Sequence, residues 1–386
     1  MQLLKVDINP NRVYGLDILR ALSIILIVYS HGSYMLSSLA PLWMLNLPVV
    51  DPVTMFFVLS GFLIGGILIK TLETKPVNRH TLLNFWTRRW FRTLPNYYLV
   101  LTFLVTYHML FEDLELASVA SYFLFLQNFA WDHPAFFPEA WTLAIEEWFY
   151  LLVPISLFST VGLGVKPRNA VLGVIVAVII GSIAVRWGRF YSMESVDFMQ
   201  WDAYFRQQVI TRLDSLIFGV LGAWLYYYYA DFWYRMRKHA FLLGVAMLLL
   251  YKASFVLLFA TNLQIGVYHC VFSFTLVSCG IFLLLPLLSH LRQGSGFLYR
   301  TLTMFSLVSY SMYLLHFAVV QYIAIPRFLE LVPIGLQGES LALFKFGLYW
   351  LFNIVGSILL YKYFEIPTTE MRNSLSVGKL KVAGPR

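Results

Sequence analysis

Long apolar runs recur along the chain and are separated by short polar segments. Ten of these runs have about the length that a helix needs to cross the hydrocarbon core of a bilayer. They lie at residues 16–36, 52–70, 94–111, 141–160, 170–188, 212–229, 241–259, 268–288, 302–320 and 343–363. The pattern predicts an all-α polytopic membrane protein, built as a bundle of about ten transmembrane helices.

Residues 117–130 (ASVASYFLFLQNFA) form an eleventh apolar segment, and loop charge decides how it is interpreted. If this segment does not cross the membrane, eighteen basic residues fall on one side: Lys5, Arg12, Lys75, Arg79, Arg88, Arg89, Arg92, Lys166, Arg168, Arg235, Arg237, Lys238, Arg292, Arg300, Arg372, Lys379, Lys381 and Arg386. The positive-inside rule then places both termini in the cytoplasm. If this segment crossed the membrane, every later loop would lie on the opposite side, and the basic residues would no longer share one side. We therefore predict an interfacial or re-entrant segment near 117–130.

The composition excludes an ordinary soluble globular protein, because 59% of the 386 residues are hydrophobic and only 12% are charged. The net charge of +8 requires no nucleic-acid partner, since it lies mainly in the predicted inner loops. We therefore expect a multi-pass protein of the cytoplasmic (inner or plasma) membrane. Its transmembrane domain would be residues 1–366, followed by a short cytoplasmic tail at 367–386.

The first apolar run carries three ionisable residues, Asp17, Arg20 and His31. Arg20 and His31 are eleven positions apart, which puts them within roughly 20° of one helix face and about 16 Å apart along the axis. Ionisable groups at membrane depth usually face a protein interior or a wet cavity. Asp17, three residues before Arg20, is placed to partner that cation. The structural alternative is an ion pair at the helix end and a core histidine.

Three arginines, Arg88, Arg89 and Arg92, lie at the start of the third predicted span. Arg89 and Arg92 are three residues apart, so their guanidinium groups can converge on one anion. Planar, permanently charged guanidinium groups suit phosphate oxygens. Topology and anionic lipid headgroups alone would also produce such a cluster.

Two adjacent carboxylates, Glu146 and Glu147, lie about one and a half turns into the fourth predicted span. Adjacent helical residues diverge by about 100°, so one carboxylate should face a polar interior and the other the interface. A glutamate here can pair with an arginine near the same surface, orient a histidine or bind a sugar hydroxyl. The two cysteines, Cys270 and Cys279, form no disulfide or metal-ligand pattern, and we predict no metal site.

Six segments occur in the order of the motifs of one known family. The first surrounds Arg20 and His31 and is similar to LDgLRaiaillVvlyH, including the ten residues between the arginine and the histidine. The other five are 57–64 (similar to FFvlSGflI), the arginine pair at 89–92 followed by Pro95 and Tyr97, 141–150 (similar to WSLaVEEqFY), 212–219 (similar to RlDallfG) and 309–316 (similar to iSYslYLlH). Thr142 and Trp148 differ from the family's Ser and Gln. Over most of its length the chain thus resembles the membrane-bound acyltransferase 3 proteins, which O-acylate carbohydrates and other hydroxylated acceptors.

The resemblance implies an acyl-CoA-dependent O-acyltransferase, with acetyl-CoA as the common donor taken from the cytoplasm. Arg88, Arg89, Arg92 and Ser60 would bind the donor, although Ser60 beside Gly61 also fits a small-residue packing face. His31 would act with Arg20 and Glu146. It would remove a proton from the acceptor hydroxyl, since an imidazole titrates near pH 6.5, or carry the acyl group itself. Glu146 would hold the tautomer of His31 or bind the acceptor.

The acceptor implied by the resemblance is a carbohydrate or glycolipid hydroxyl, in a polysaccharide or other component of the cell envelope. Trp141, Glu147, His316 and Arg212 are the candidate acceptor-binding residues. A core histidine remains an equal interpretation of His316, and an internal ion pair with Asp214 one of Arg212. Family members often carry an extracytoplasmic esterase-like domain after the last span, and we expect none here. The core, or a separate extracytoplasmic partner, would then complete the transfer.

A multi-span transporter or flippase of a glycan, lipid or acyl-modified small molecule is the alternative. Such a protein would also use about ten spans and buried charges. It would tend to show two related halves with paired, broken helices, and the sequence shows no such symmetry. A scaffold protein without catalytic activity is a further alternative, but it would not explain why Arg20, His31 and Glu146 lie inside the spans.

Overall fold

The computed structural model describes residues 12–46, 50–112, 114–261 and 264–375, and no strand occurs in these ranges. Ten long helices dominate them. They are α1 (Tyr14–Gly32), α2 (Pro52–Thr74), α3 (Arg79–Phe111), α4 (Ala140–Gly162), α5 (Pro167–Tyr191), α6 (Val209–Tyr228), α7 (Ala230–Thr261), α8 (Ser273–Leu288), α9 (Gly296–Leu315) and α10 (Gly338–Leu360). The prediction of an all-α protein is confirmed.

Nine helical segments in the described ranges are long and apolar enough to cross a membrane. Eight of them contain a predicted span in full, and Val209–Tyr228 contains the span at 212–229 except for its last residue. The one remaining predicted span, 94–111, is the C-terminal part of α3, where Asn96 and His108 interrupt the apolar run. With 33 residues α3 is about 50 Å long, enough to cross a hydrocarbon core of about 30 Å. The chain is therefore a multi-pass membrane protein with about ten crossing helices.

Helices α2 and α6 pack at very short range because glycines face each other across their contact. A Cβ atom on Gly61 would lie 1.8 Å from the backbone oxygen of Leu216, and one on Gly219 would lie 2.0 Å from that of Val58. Without a hydrophobic force between helices in lipid, such close backbone approach provides much of the packing energy. The predicted small-residue packing face of α2 is thus confirmed, and Ser60, next to Gly61, is left free to face the bundle interior.

The bundle has two ends that differ in chemistry. The arginine end carries Arg20, Arg89 and Arg92, and here the Gly15 N–H donates to the carbonyl of Leu291 (2.8 Å), which joins the start of α1 to the α8–α9 loop. The histidine end carries His31 and His316, whose rings meet. Since successive long helices alternate in direction, both ends of the described chain lie at the arginine end.

Residues 114–139, which connect α3 to α4, form a re-entrant segment. Its two short helices, Leu116–Val119 and Ala120–Leu124, are far too short to cross a bilayer. The carbonyl of Phe125 accepts a hydrogen bond from the Trp148 indole (2.9 Å), and Trp148 lies eight residues, or about 12 Å, into α4. The chain therefore dips into the bundle and returns to the same end, as predicted for 117–130.

Several helix bounds differ from the sequence prediction. Three basic residues assigned to a loop, Arg235, Arg237 and Lys238, belong to the first turns of α7. The predicted tail at 367–386 begins within a further helix, Ile366–Leu375. The predicted inner basic residues Lys5, Lys379, Lys381 and Arg386 lie outside the described residues, as does most of the tail.

Candidate functional site

A wide cavity opens at the arginine end between α1, α3, α9 and the segment that follows α10. Its volume is about 350 Å³, and Arg20, Arg92, Tyr361 and Glu365 are among the residues that line it. Glu365 is the acidic residue deepest in its wall, where it accepts hydrogen bonds from Asn96 (3.0 Å) and Ser311 (2.6 Å). The cavity wall therefore contains the guanidinium groups of Arg20 and Arg92 together with the Glu365 carboxylate, which is held in place by uncharged hydrogen-bond donors.

Asp17 does not partner Arg20, which corrects the sequence prediction. Its carboxylate accepts hydrogen bonds from Arg12 Nε (2.8 Å) and from the Ser306 hydroxyl (2.6 Å). Arg12 precedes α1 and reaches Asp17 from outside the helix, which a spacing rule within the helix does not anticipate. As a result Arg20 forms no ion pair with any described residue, and its guanidinium group faces the cavity.

A narrower pocket of about 100 Å³ continues from the wide cavity toward the middle of the bundle. Arg20 and Arg92 line both spaces, so the two meet at these side chains. The pocket follows α1 as far as Ile27, one helical turn before His31. Its polar lining comes from three helices besides α1 and α3: Ser60, Thr142, Glu146, Ser309, Tyr310 and Tyr313.

Arg89 is held in the pocket wall by residues from α2 and α4. Its Nη2 donates to the Tyr150 hydroxyl (2.6 Å) and lies 3.5 Å from Glu146 Oε2, while Ser60 is hydrogen-bonded to the same tyrosine. Glu146 therefore neutralises Arg89. Among the described residues no hydrogen bond or ion pair joins Glu146 to His31, so the predicted role in holding the tautomer of His31 has no direct contact, and acceptor binding stays a prediction. The free cations of the site are Arg20 and Arg92.

His31 and His316 form a hydrogen-bonded pair at the histidine end. His31 Nδ1 lies 2.7 Å from His316 Nε2, and the two rings are nearly parallel, at 14°. His316 Nδ1 in turn lies 2.6 Å from the carbonyl oxygen of Tyr313. His316 is completely buried, whereas His31 is partly exposed and stacks on Phe317 with ring centroids 4.5 Å apart.

Tyr313 separates the histidine pair from the narrow pocket. Its ring lines the pocket and lies 5.4 Å from the ring of His316, and neither histidine lines the pocket. The hydroxyl accepts from Thr142 (2.7 Å) and donates to the backbone oxygen of Glu139 (2.9 Å). Hydrogen bonds to Thr142 and Glu139 therefore fix this tyrosine at the inner boundary of the histidine site.

Glu139 precedes α4 and is buried beside the histidine site. One carboxylate oxygen accepts from the Ala318 N–H (3.1 Å), whereas the other has no partner among the described residues. Burial raises the pKa of Glu139 to about 8, although the hydrogen bond from the Ala318 N–H acts in the opposite direction. The carboxyl group is therefore largely protonated at neutral pH.

Four predicted site residues occupy other positions. Arg88 is exposed and lines neither cavity, and Glu147 accepts a hydrogen bond from Thr93 on α3 (3.0 Å). Trp141 is 5% exposed, and the Arg206 guanidinium lies over its ring at 4.8 Å from the centroid. The fourth of these residues is Arg212.

Arg212 is completely buried and donates to the Thr54 hydroxyl (2.6 Å). The ion pair suggested between Arg212 and Asp214 is not formed. Asp214 instead pairs with Arg186 of α5 at 2.7 Å, and both side chains are completely buried. The reason is geometric, since two residues separated by one position point to different sides of a helix.

The sequence analysis did not single out Arg206, Tyr313 or Glu365 as site residues. Arg206 is a cation near His31 and belongs to a π-helical turn, Asp202–Arg206, within a connection. Its sequence signal is the Asp202–Arg206 pair at a spacing of four residues, which a structural ion pair explains equally well. Tyr313 precedes His316 by three residues, a helical spacing that links the two side chains.

Comparisons with known proteins support the resemblance. The profile of a family described as Acyltransferase domain matches residues 13–362. The O-acetyltransferase OatA of Staphylococcus aureus (strain NCTC 8325 / PS 47) is 28% identical over 239 residues, covering 56% of this chain and 35% of the relative. The peptidoglycan O-acetyltransferase OatA of Listeria monocytogenes is 31% identical over 161 residues, covering 38% and 24%. The matches thus span about a third or less of these curated relatives, and no solved structure matches the chain.

The family profile covers most of the described chain, including the residues of the narrow pocket and the histidine pair, and also Arg20, Arg92 and Tyr361 of the wide cavity. The motifs that carried the resemblance lie on α1, α2, α3, α4, α6 and α9, and these helices enclose the site. The chain therefore belongs to the membrane-bound acyltransferase 3 family.

Proposed function

We propose that this protein transfers an acyl group, most simply acetyl from acetyl-CoA, to a hydroxyl group of a carbohydrate or glycolipid acceptor. Family membership supports an acyl transfer, and the names of the relatives support O-acetylation. The Listeria relative is named for peptidoglycan, which makes a cell-envelope glycan the acceptor class to test first. The observation that carries the proposal is the pair of cavities joined at Arg20 and Arg92, which leads from the arginine end toward His31.

In this proposal the arginine end faces the cytoplasm. The loops and helix starts at that end contain Arg79, Arg88, Lys166, Arg168 and Arg292, which fits the positive-inside rule. Acyl-CoA is made and kept in the cytoplasm, so the wide cavity would receive the donor. The histidine end would then face the outside, where envelope glycans are found.

The donor would bind through its phosphates and its thioester arm. Arg20 and Arg92 are not neutralised by an ion pair within the described chain, so their guanidinium groups can each donate two hydrogen bonds to phosphate oxygens. The wide cavity has room for the charged part of the nucleotide, and the narrow pocket suits an extended, uncharged arm. Arg89 and Ser60, in the wall, would contact that arm.

His31 would act as the general base at the far end of this path. As the acceptor oxygen attacks the thioester carbonyl carbon, its proton passes to His31, and the new C–O bond forms. The C–S bond then breaks, and the departing CoA thiolate takes that proton from His31, which returns to its neutral form. Because the narrow pocket ends at Tyr313 and Ile27, a displacement of the Tyr313 ring would bring thioester and histidine together.

The acceptor would reach His31 from the histidine end, where the imidazole is partly exposed. Phe317 stacks on this ring, and Arg206 provides a positive charge nearby. A cation beside the reacting centre would stabilise the oxyanion that develops on the carbonyl. The thioester and hydroxyl would thus approach from opposite ends of the bundle.

The test is transfer of labelled acetyl from acetyl-CoA to glycan by purified protein in liposomes. Candidate acceptors, beginning with peptidoglycan fragments, are enclosed with the protein, and acetyl-CoA is added outside. Label should appear on the glycan with wild type and fall to background with Arg20→Ala and His31→Ala. His290→Ala is the matched control, because that histidine is exposed at the arginine end.

Two results would overturn the proposal. One is label transfer that survives His31→Ala at the wild-type rate. The other is the absence of transfer from acetyl-CoA to any envelope glycan by a protein that is folded and correctly inserted.

A further inference from the structure

The proton positions in the histidine pair follow from the groups at its buried end. A carbonyl oxygen only accepts hydrogen bonds. The contact of 2.6 Å between His316 Nδ1 and the Tyr313 oxygen therefore requires a proton on His316 Nδ1. A neutral imidazole carries one N–H, so the Nε2 of His316 is left as an acceptor.

This assignment determines the tautomer of His31. Its Nδ1 lies 2.7 Å from His316 Nε2, and one of these two nitrogens must donate. Since His316 Nε2 has only a lone pair, the proton belongs to His31 Nδ1. The lone pair of His31 is then on Nε2, the one ring nitrogen of the pair that no described residue engages.

The ring of His316 is held in this position by its local fold. Helix α9 ends at Leu315, and residues His316–Ala324 continue as a π-helix, which changes the direction of the side chains that follow. The Ala318 N–H in this turn donates to the Glu139 carboxylate. Tyr313, one turn earlier, is fixed through Thr142 and Glu139. His316 itself has no exposed surface.

We propose that His316 is a positioning residue that presents His31 as the Nδ1–H tautomer, with its Nε2 lone pair directed at the acceptor hydroxyl. This rests on the proposed function and replaces the assignment of His316 to acceptor binding. In the familiar hydrolytic triads a carboxylate performs this role. Here a neutral imidazole performs it, and the ionisable groups that face the site from other elements are the Arg206 guanidinium and the carboxyl group of Glu139.

The role makes a definite prediction about the reaction. When the acceptor O–H proton moves to His31 Nε2, the imidazolium keeps its hydrogen bond from Nδ1 to His316, and no proton has to pass on to His316. If His316 is lost, His31 is free to adopt the other tautomer, which places a proton on Nε2 and removes the base. Acceptor binding would be unaffected, because His316 is buried behind His31.

Two substitutions separate positioning from packing. His316→Leu fills much of the space but offers no acceptor to His31. His316→Gln places its amide oxygen near the position of Nε2 and restores the acceptor. We expect His316→Leu to lower kcat by about 10²- to 10⁴-fold with the KM for glycan unchanged, and His316→Gln to recover most of the rate. A rise in glycan KM at constant kcat, or equal losses in both variants, would overturn the proposal.

Nitrogen NMR of ¹⁵N-histidine-labelled protein in liposomes tests the tautomer without any assay of activity. The signals of His31 are identified by their loss in His31→Gln. We expect a protonated Nδ1 and an unprotonated Nε2 for His31 in the wild type, and a mixture of tautomers in His316→Leu. A protonated Nε2 in the wild type would refute the inference. Failure of the proposed function alone would abolish glycan labelling and leave this result unchanged.

Discussion

Arg20 and Arg92, from α1 and α3, stand together at the junction of the wide cavity and the narrow pocket. Each guanidinium group reaches both spaces, and each acts electrostatically on the other. Two like charges in such proximity are unfavourable without an anion between them. In the proposed function, the phosphate groups of the donor would bind between the two arginines and relieve this repulsion.

Arg92→Gln should raise the KM for acetyl-CoA by about tenfold or more and leave kcat within a few fold. A hydrogen bond to a charged group contributes about 1.5–3 kcal/mol, and the glutamine retains the length but not the charge. Initial rates as a function of acetyl-CoA concentration provide the measurement.

Arg88→Gln is the matched control, since Arg88 is on the same helix but is exposed outside both cavities. Its KM should equal that of the wild type. Equal effects of the two substitutions would mean that the arginines act only through the membrane surface.

Gly61→Ala should destabilise the bundle. The added methyl group would lie 1.8 Å from the Leu216 carbonyl oxygen, so α2 and α6 must separate. Overpacking of this kind costs about 1–3 kcal/mol, which should appear as a lower midpoint of thermal unfolding in detergent. Gly173→Ala is the control, because nothing lies within 4 Å of its Cβ. An unchanged midpoint for Gly61→Ala would contradict the observed packing.

Asp214→Asn should be among the most damaging substitutions that keep the side-chain shape. It leaves Arg186 as a buried, unpaired cation, and breaking such a pair costs about 3–5 kcal/mol. Glu330→Gln, which removes the carboxylate from an exposed ion pair with Arg327, should lower the stability far less, because solvent screens exposed charges. The unfolding midpoints of both variants test this contrast, which fails if the two losses are similar.

Glu139 should make the protein less stable as the pH rises. Burial raises its pKa to about 8, so between about pH 4.5 and pH 8 the unfolded chain loses this proton before the folded protein does. The stabilising effect is fully present below pH 4.5 and is lost as the pH approaches 8. Unfolding midpoints at pH 5 to 9 should fall less steeply for Glu139→Gln than for the wild type. Parallel curves would exclude this role.

The sequence was sufficient for the fold class because hydrophobic length is a local property. A run of about twenty apolar residues forms a crossing helix whatever its neighbours are, and loop charge limits the possible topologies. The non-crossing segment at 117–130 followed from that charge pattern, although its depth in the bundle did not. That depth depends on Tyr97 and Trp148 in two separate helices, whose side chains hold the segment from both sides.

Motif order and helical spacing also singled out Arg20, His31, Arg89, Arg92 and Glu146 as candidate site residues, and all of these except His31 line the narrow pocket. Spacing within one helix shows which residues share a face. It does not show which partner each one meets. Asp17 was assigned to Arg20 on local spacing, whereas Arg12, from outside the helix, is its partner.

What the sequence by itself determined, then, is a membrane-embedded helical bundle of the acyltransferase 3 family with cations at one end and a histidine toward the other. Only the tertiary structure decided that His316 pairs with His31, that Glu146 neutralises Arg89 and that Asp214 belongs to Arg186. These partners are separated by between 28 and 285 residues. Contacts of that kind depend on how the helices pack around one another, which no local pattern of residues encodes.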